Sequence, residues 1–234
     1  MVLQKIPKEL SEECKDVGYV TIAHSFPETV KIKFTDEFHF DGRVKKFSGL
    51  GEIHSLCTAH FHKLLSTYNI PTAYVDSPNS DEIVFIKHQK LPILIRIHNY
   101  SNKTFNKIFN LKEKIKLVAP IYEIYHKNHL KYPLNEYHLL SFNIISLDES
   151  REIIKLASKV NIVIKSFFER RGYDLQMLEL EFGKGNSQIF LTTLFTIDKF
   201  KLKPHNSNQP NFDFEKIPLT KLREVFISFQ KMIY

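Results

Sequence analysis

The segment that most limits the fold begins at Ser146. Ser146 and Glu149 form the S-x-x-E pattern of a capping box, in which each residue satisfies a backbone N–H of the other. Ile153, Ile154, Leu156, Ala157, Val160, Val163, Ile164, Phe167 and Phe168 then recur at helical spacing. The pattern predicts a helix from Leu147 to Arg171, with Gly172 at the left-handed position past its end. Two strands follow, Tyr173 to Phe182 and Gln188 to Phe195, meeting across Gly183-Lys184-Gly185-Asn186. A long helix with so wide an apolar face must lie on a sheet, and the next residues of the chain supply strands for one.

The first third reads differently. Gly18 to His24 and Thr29 to Phe34 alternate apolar and polar residues around Ser25-Phe26-Pro27-Glu28, as a hairpin does, and Asp41-Gly42 marks a further turn. Ile53, Leu56, Cys57, His60, Phe61, Leu64, Leu65 and Tyr68 form one helical face that ends before Pro71. Strand character returns at Thr72 to Asp76, Glu82 to Lys87 and Ile93 to His98, with a short polar link ahead of Pro92. A short helix is expected around Lys103 to Asn110, a strand at Pro120 to His126, and an irregular loop over Lys127 to Glu136. Residues 203–218 read as loop, and Leu219 to Ile233 as a final amphipathic helix. This is an α+β pattern with two lobes, 1–88 mostly antiparallel strands with one helix and 89–234 mixed strands with two long helices. A link near Lys87 to Leu91 places a cleft between lobes, where small ligands bind.

Composition narrows the function classes. With 234 residues, 43% of them hydrophobic and including 20 Phe and 10 Tyr, the chain can build a core without staples. Cys14 and Cys57 make no disulfide framework and no C-x-x-C zinc pair, so reduced thiols are expected. Met1 to Lys15 lacks the apolar run of a signal peptide, and no stretch approaches the length that spans a bilayer. A soluble, cytoplasmic protein with no membrane partner is the expectation. The net charge of +7 attracts phosphorylated ligands. It would attract nucleic acid too, yet no recognised nucleic-acid module is present, so that partner is not expected. The lysine sets Lys31/Lys33, Lys45/Lys46, Lys112/Lys114/Lys116 and Lys199/Lys201/Lys203 read equally as solvated faces. The eleven histidines form no H-E-x-x-H or other ligand spacing.

Four landmarks, in order, resemble the SAICAR synthetase family. Asn69-Ile70-Pro71-Thr72 is similar to a G-I-P-T helix end, and Lys87 to Pro92 to a K-x-x-x-V-P hinge. Lys127-Asn128 with Pro133-Leu134-Asn135-Glu136 resembles a K-N-D loop followed by D-P-x-x-N-E. Leu180-Glu181-Phe182-Gly183 reproduces the family's L-E-F-G after its long helix. The resemblance implies a two-lobed fold with a nucleotide cleft akin to ATP-grasp and kinase sites. It implies a ligase that uses ATP to phosphorylate a carboxy-aminoimidazole ribonucleotide and lets the amine of aspartate displace the phosphate. ATP and magnesium are then the implied cofactors, and small-molecule nucleotides the partners. Adenine would sit against the backbone of Lys87, His88, Gln89, Lys90 and Leu91. Arg96, His98, Asn99 and Ser101 would grip a substrate phosphate, since guanidinium forks and hydroxyls suit that anion. Glu181 would hold magnesium, with Asp198 a second anion and Lys201 near the family's arginine.

The resemblance has gaps. Where the family reads D-E-x-S-P-D, this chain reads Thr193-Leu194-Phe195-Thr196-Ile197-Asp198. The G-K-x-K turn corresponds to Asp16-Val17-Gly18-Tyr19, with Lys15 nearby, and the D-P aspartate to Tyr132. Three readings therefore stand side by side: a diverged ligase of purine biosynthesis, an inactive homologue that keeps the fold as a nucleotide-binding or regulatory protein, and a changed reaction on a different acid.

Overall fold

A computed structural model describes residues 24–25, 28–40, 43–185, 188–212, 217 and 220–234. The expected strand at 18–23, the turns at 26–27 and 41–42, Cys14, Lys15 and the Asp16-Val17-Gly18-Tyr19 stretch lie outside them.

In chain order the strands are β1 (His24–Ser25), β2 (Thr29–Lys33), β3 (Glu37–Phe40) and β4 (Arg43–Lys46), followed by helix α1 (Leu50–Ser66). Next come β5 (Tyr74–Asp76), β6 (Glu82–Ile86), β7 (Gln89–Tyr100), α2 (Lys103–Ile108), β8 (Lys116–His126) and β9 (His129–Leu134). The chain closes with α3 (Glu136–Ser141), α4 (Leu147–Glu169), β10 (Tyr173–Gly185), β11 (Gln188–Leu191), a 3₁₀ turn at Ile197–Lys199, β12 (Phe200–Pro204) and α5 (Leu222–Ile233). A four-stranded sheet runs β1-β2-β6-β5, and β3 and β4 form a separate hairpin. A six-stranded sheet runs β11-β10-β7-β8-β9, with β12 beside β10. All its pairings are antiparallel.

The expected capping box is present: Ser146 Oγ accepts from the Glu149 amide at 3.2 Å, and the Glu149 carboxylate accepts from the Ser146 amide at 2.7 Å. Gly172 takes φ of +80° just past α4, as its position demands. Between these ends α4 lays Ile153, Leu156, Val160, Ile164 and Phe168 against Ile93, Ile95, Ile97, Leu178 and Leu180 of β7 and β10. Helix α1 is buried on two sides. Cys57, Phe61 and Leu65 join that same core, with Phe61 within 5.8 Å of the rings of Phe167, Phe168, Phe195 and Phe200. His62 and Ser55 face the four-stranded sheet instead, through the Phe85 ring and the Glu82 carbonyl.

Three expectations fail. Lys127 to Glu136 is not an irregular loop: its middle forms β9, which finds a free edge on β8, and Asn135 caps α3. The loop expected from residue 203 begins later, because β12 pairs with the first half of β10. The polar link before Pro92 is shorter than expected, since β7 already starts at Gln89. Only Lys87 and His88 separate β6 from β7. Among the described residues no helix is long and apolar enough to cross a membrane.

Candidate functional site

Strand alternation sorts the central residues. With Ile93, Ile95 and Ile97 of β7 turned toward α4, Arg96 and His98 point to the opposite face. On β10, Leu178, Leu180 and Phe182 are core, so Glu179 and Glu181 share that opposite face. On β8, Glu123 and Tyr125 do the same beside them, opposite Arg96 and Leu94.

These groups form one ionic network. Nε and Nη2 of Arg96 both donate to Glu179 Oε1, at 2.8 and 2.6 Å, and the guanidinium stacks 4.8 Å from the Tyr125 ring. His98 Nε2 and the Tyr125 hydroxyl both donate to Glu123 Oε2 at 2.8 Å. Lys199, on the 3₁₀ turn, reaches Glu179 Oε2 at 3.7 Å and Glu181 Oε1 at 3.4 Å. Lys127, from the β8–β9 turn, reaches Glu181 Oε2 at 2.9 Å. The Lys199 and Lys127 side chains are only 5% and 9% exposed, so these pairs are poorly screened by solvent. Burial alone would push the Glu181 carboxyl up; the charges of Lys127 and Lys199 outweigh it and hold the group well below the usual carboxylate range. Asp198 responds the other way. Burial pushes its carboxyl up, the neighbouring Lys199 offsets that only in part, and Oδ1 has no hydrogen-bond partner among the described residues.

Below Glu181 the backbone is clamped. The Thr193 hydroxyl accepts from the Glu181 amide at 2.8 Å, and the Thr193 carbonyl accepts from His62 Nε2 at 2.8 Å. Beyond it, Gly183 is required by space. A Cβ there would overlap the His88 ring and stand 3.0 Å from the Thr192 methyl. His88 is fixed in turn by its Nδ1, 2.7 Å from the Ile86 carbonyl. Gly183→Ala is therefore expected to cost about 1–3 kcal/mol, as overpacking does. Urea denaturation reads that cost, and an unchanged midpoint would contradict the assigned contact.

A sequence profile for SAICAR synthetase matches residues 18–225. The chain belongs to the SAICAR synthetase family. A phosphoribosylaminoimidazole-succinocarboxamide synthase of the Wolbachia of Brugia malayi is 31% identical over 216 residues, covering 88% of this chain and 90% of that one. A SAICAR synthetase solved in complex with ADP is 26% identical, with a TM-score of 0.80 over 92% of this chain and 94% of its own. The Ehrlichia chaffeensis synthase superposes with a TM-score of 0.82 over 92% and 95% at 24% identity, and shows the shared fold.

Within this SAICAR synthetase fold the sequence-predicted residues divide. Glu181 lies at the centre of the network, and Asp198 beside Lys199 at its border. Lys201 lies in β12 opposite Met177. Arg96 and His98 line the ionic face. Asn99 is on the other side, where it exchanges two 2.9 Å hydrogen bonds with Asn161 of α4, and Ser101 lies just past the end of β7, where its Oγ accepts from the Ile115 amide at 2.9 Å. Lys87, Gln89 and Lys90 are exposed, His88 is half-buried and the Leu91 side chain is core. Gln89 and Lys90 pair with Lys184 and Gly183 on one side, while β8 joins the other side of β7 only from Ile93 onward. The backbone edge of Gln89 to Leu91 is thus outside the β7–β8 ladder.

Lys127 and Lys199 had no role assigned from sequence, and Glu179 stood out only as the end of Met177-Leu178-Glu179, where the family reads D-x-K and the charge is reversed. Lys127 had a signal, the Lys-Asn pair used as a landmark. Lys199 had none, because a lysine in K-F-K-L-K reads as a solvated face until Glu179 and Glu181 are seen beneath it.

These residues do not compose a magnesium site. Magnesium takes hard oxygens, usually one or two carboxylates with phosphates and water. Each oxygen of Glu179 and of Glu181 already faces a cationic nitrogen. No three metal-ligating groups converge among the described residues.

Proposed function

We propose that this chain is an ATP-dependent carbon–nitrogen ligase that joins aspartate to a carboxy-aminoimidazole ribonucleotide, working in the cytoplasm on small-molecule nucleotides. The observation that carries the reading is the buried Lys127–Glu181–Lys199 cluster on the L-E-F-G strand. It stands in a fold shared with a synthetase that binds ADP.

Phosphoryl transfer calls for fixed cations around the transferred group and for positioning, and the protein need do little covalent chemistry itself. In this reading Lys127 and Lys199, locked by Glu181, present that charge to the nucleotide phosphates. Arg96, held by Glu179 and Tyr125, and His98, held by Glu123, line the place of the second substrate. In this reading the backbone of Gln89 to Leu91, which lies outside the β7–β8 ladder, takes adenine through N–H and C=O groups, with Lys87 and His88 at its margin. Asp198 and Lys201 border the site. The proposed lobes, 1–88 and 89–234, meet at this edge. Asn99 and Ser101 serve the scaffold.

The same ion pairing also favours a second reading, a nucleotide-binding homologue without turnover, because Glu181 is fully engaged by lysines. One assay separates the two. Purified protein with ATP, magnesium, aspartate and the carboxy-aminoimidazole ribonucleotide should release ADP and the succinocarboxamide in equal amounts. ADP binding by calorimetry with no product would establish the second reading instead.

A further inference from the structure

The disagreement between the carboxylates of this site and a divalent ion points to what replaces the ion. Lys199 is the group at the junction. Its ammonium lies between the inner oxygens of Glu179 and Glu181, 3.7 and 3.4 Å away, with only 5% of the side chain exposed. The outer oxygens are met by Arg96 and Lys127. Three cations thus enclose two carboxylates, and Lys90 adds a further positive charge toward Glu181. The pair of carboxylates carries an excess of positive charge with no metal. The buried ammonium cannot leave without baring one oxygen of each carboxylate, so it is a fixed charge in the way a bound ion is fixed.

We propose that Lys199 is the resident cation of the nucleotide site, supplying the positive charge that a protein-anchored divalent ion would otherwise supply. The proposal rests on the nucleotide-binding reading above. Its consequence is specific: the diphosphate of ADP is held by protein charge, and the chain binds ADP without a divalent cation.

Calorimetric titration of ADP into the purified chain tests this, once in excess magnesium and once in EDTA. The affinity in EDTA is expected to stay within about fivefold of the magnesium value. In Lys199→Met, ADP affinity in EDTA is expected to fall by about tenfold or more, and in Lys199→Arg to be largely retained. A wild-type affinity that falls by more than about fivefold in EDTA overturns the proposal while leaving the nucleotide reading intact. Undiminished binding by a folded Lys199→Met overturns it as well. No ADP binding in either buffer, by a chain that circular dichroism shows folded, removes the nucleotide reading itself. Should the methionine variant fail to fold, the two wild-type titrations decide alone.

Discussion

Glu181→Gln is expected to lose turnover by about two orders of magnitude and to destabilise the fold by about 3 kcal/mol. The amide is nearly isosteric, so the effect isolates charge. One amide oxygen still accepts from one lysine. The NH₂ then faces the other ammonium, a donor against a donor. Lys127 and Lys199 are both almost fully covered, so neither can turn to water for relief. Breaking one partner of a buried pair is costly for this reason, whereas an exposed pair is worth about 1 kcal/mol or less. Lys184 and Glu149 provide the contrast, since the lysine side chain is 42% exposed. Lys184→Met should shift the urea midpoint far less than Glu181→Gln. Turnover falls in the glutamine variant because the two ammonium groups lose the anion that holds them, and misplacing catalytic groups by about 1 Å costs about 10²-fold. Wild-type turnover in Glu181→Gln would detach the cluster from the reaction.

Local signals were legible and long-range pairing was not. The capping box, the apolar face of α4 and the left-handed Gly172 lie within a few residues of the features they explain, and each is where the sequence puts it. The helix ends at Asn69, Asn110 and Asn143 show the same local logic with asparagine in the positive-φ role. Strand β9 escaped because His129 to Leu134 has no clean alternation; it is nearly all exposed and owes its strand form to the edge of β8. Strand β12 escaped because Pro204 and the asparagines that follow it looked like loop, while Phe200 and Leu202 in fact complete the core.

The site divides along the same line. Glu181 was marked by its motif, and Arg96 by its place after the hinge. What holds them comes from far along the chain: Glu179 lies 83 residues from Arg96, and Lys199 lies 18 from Glu181. No spacing rule reaches that far. The separation of Arg96 and His98 from Asn99 was within reach, since residues on a strand change face at every step. Residues 96–100 belong to β7, which continues to Tyr100, and Ser101 follows it.

Acid should unfold this protein earlier than its carboxylates alone would require, starting below about pH 6.5, because two histidines are buried in neutral form. Burial depresses His62 from the ordinary value to about 4 and His54 to about 3, against weaker upward pulls from the Thr193 carbonyl and Asp36 respectively. Both folded values lie below the unfolded one, so between them the unfolded chain binds more protons. Stability is then full above the unfolded value and is lost as pH falls toward the folded values. Each proton contributes roughly 1.4 kcal/mol per pH unit, about 3 for the pair, against a total of about 5–15 kcal/mol for a typical domain. Below the ordinary carboxylate range Glu181 adds to the loss, its own folded value being depressed. His62 has a clear structural reason to resist. Tyr74, Phe85 and Phe195 surround its ring, and the Nδ1 that would gain the proton has no partner among the described residues. Its other nitrogen holds Thr193, whose hydroxyl holds the Glu181 amide, so acid opening of α1 is transmitted to the site. Burial also lowers the imidazoles of His60 and His88, so urea midpoints measured from pH 7.5 to 4.5 should fall with a slope of at least about two protons. His62→Gln keeps a donor for the Thr193 carbonyl and removes one titration, so its slope should drop by about one proton. A wild-type midpoint that stays flat across that window would mean that neither ring is held neutral by the core.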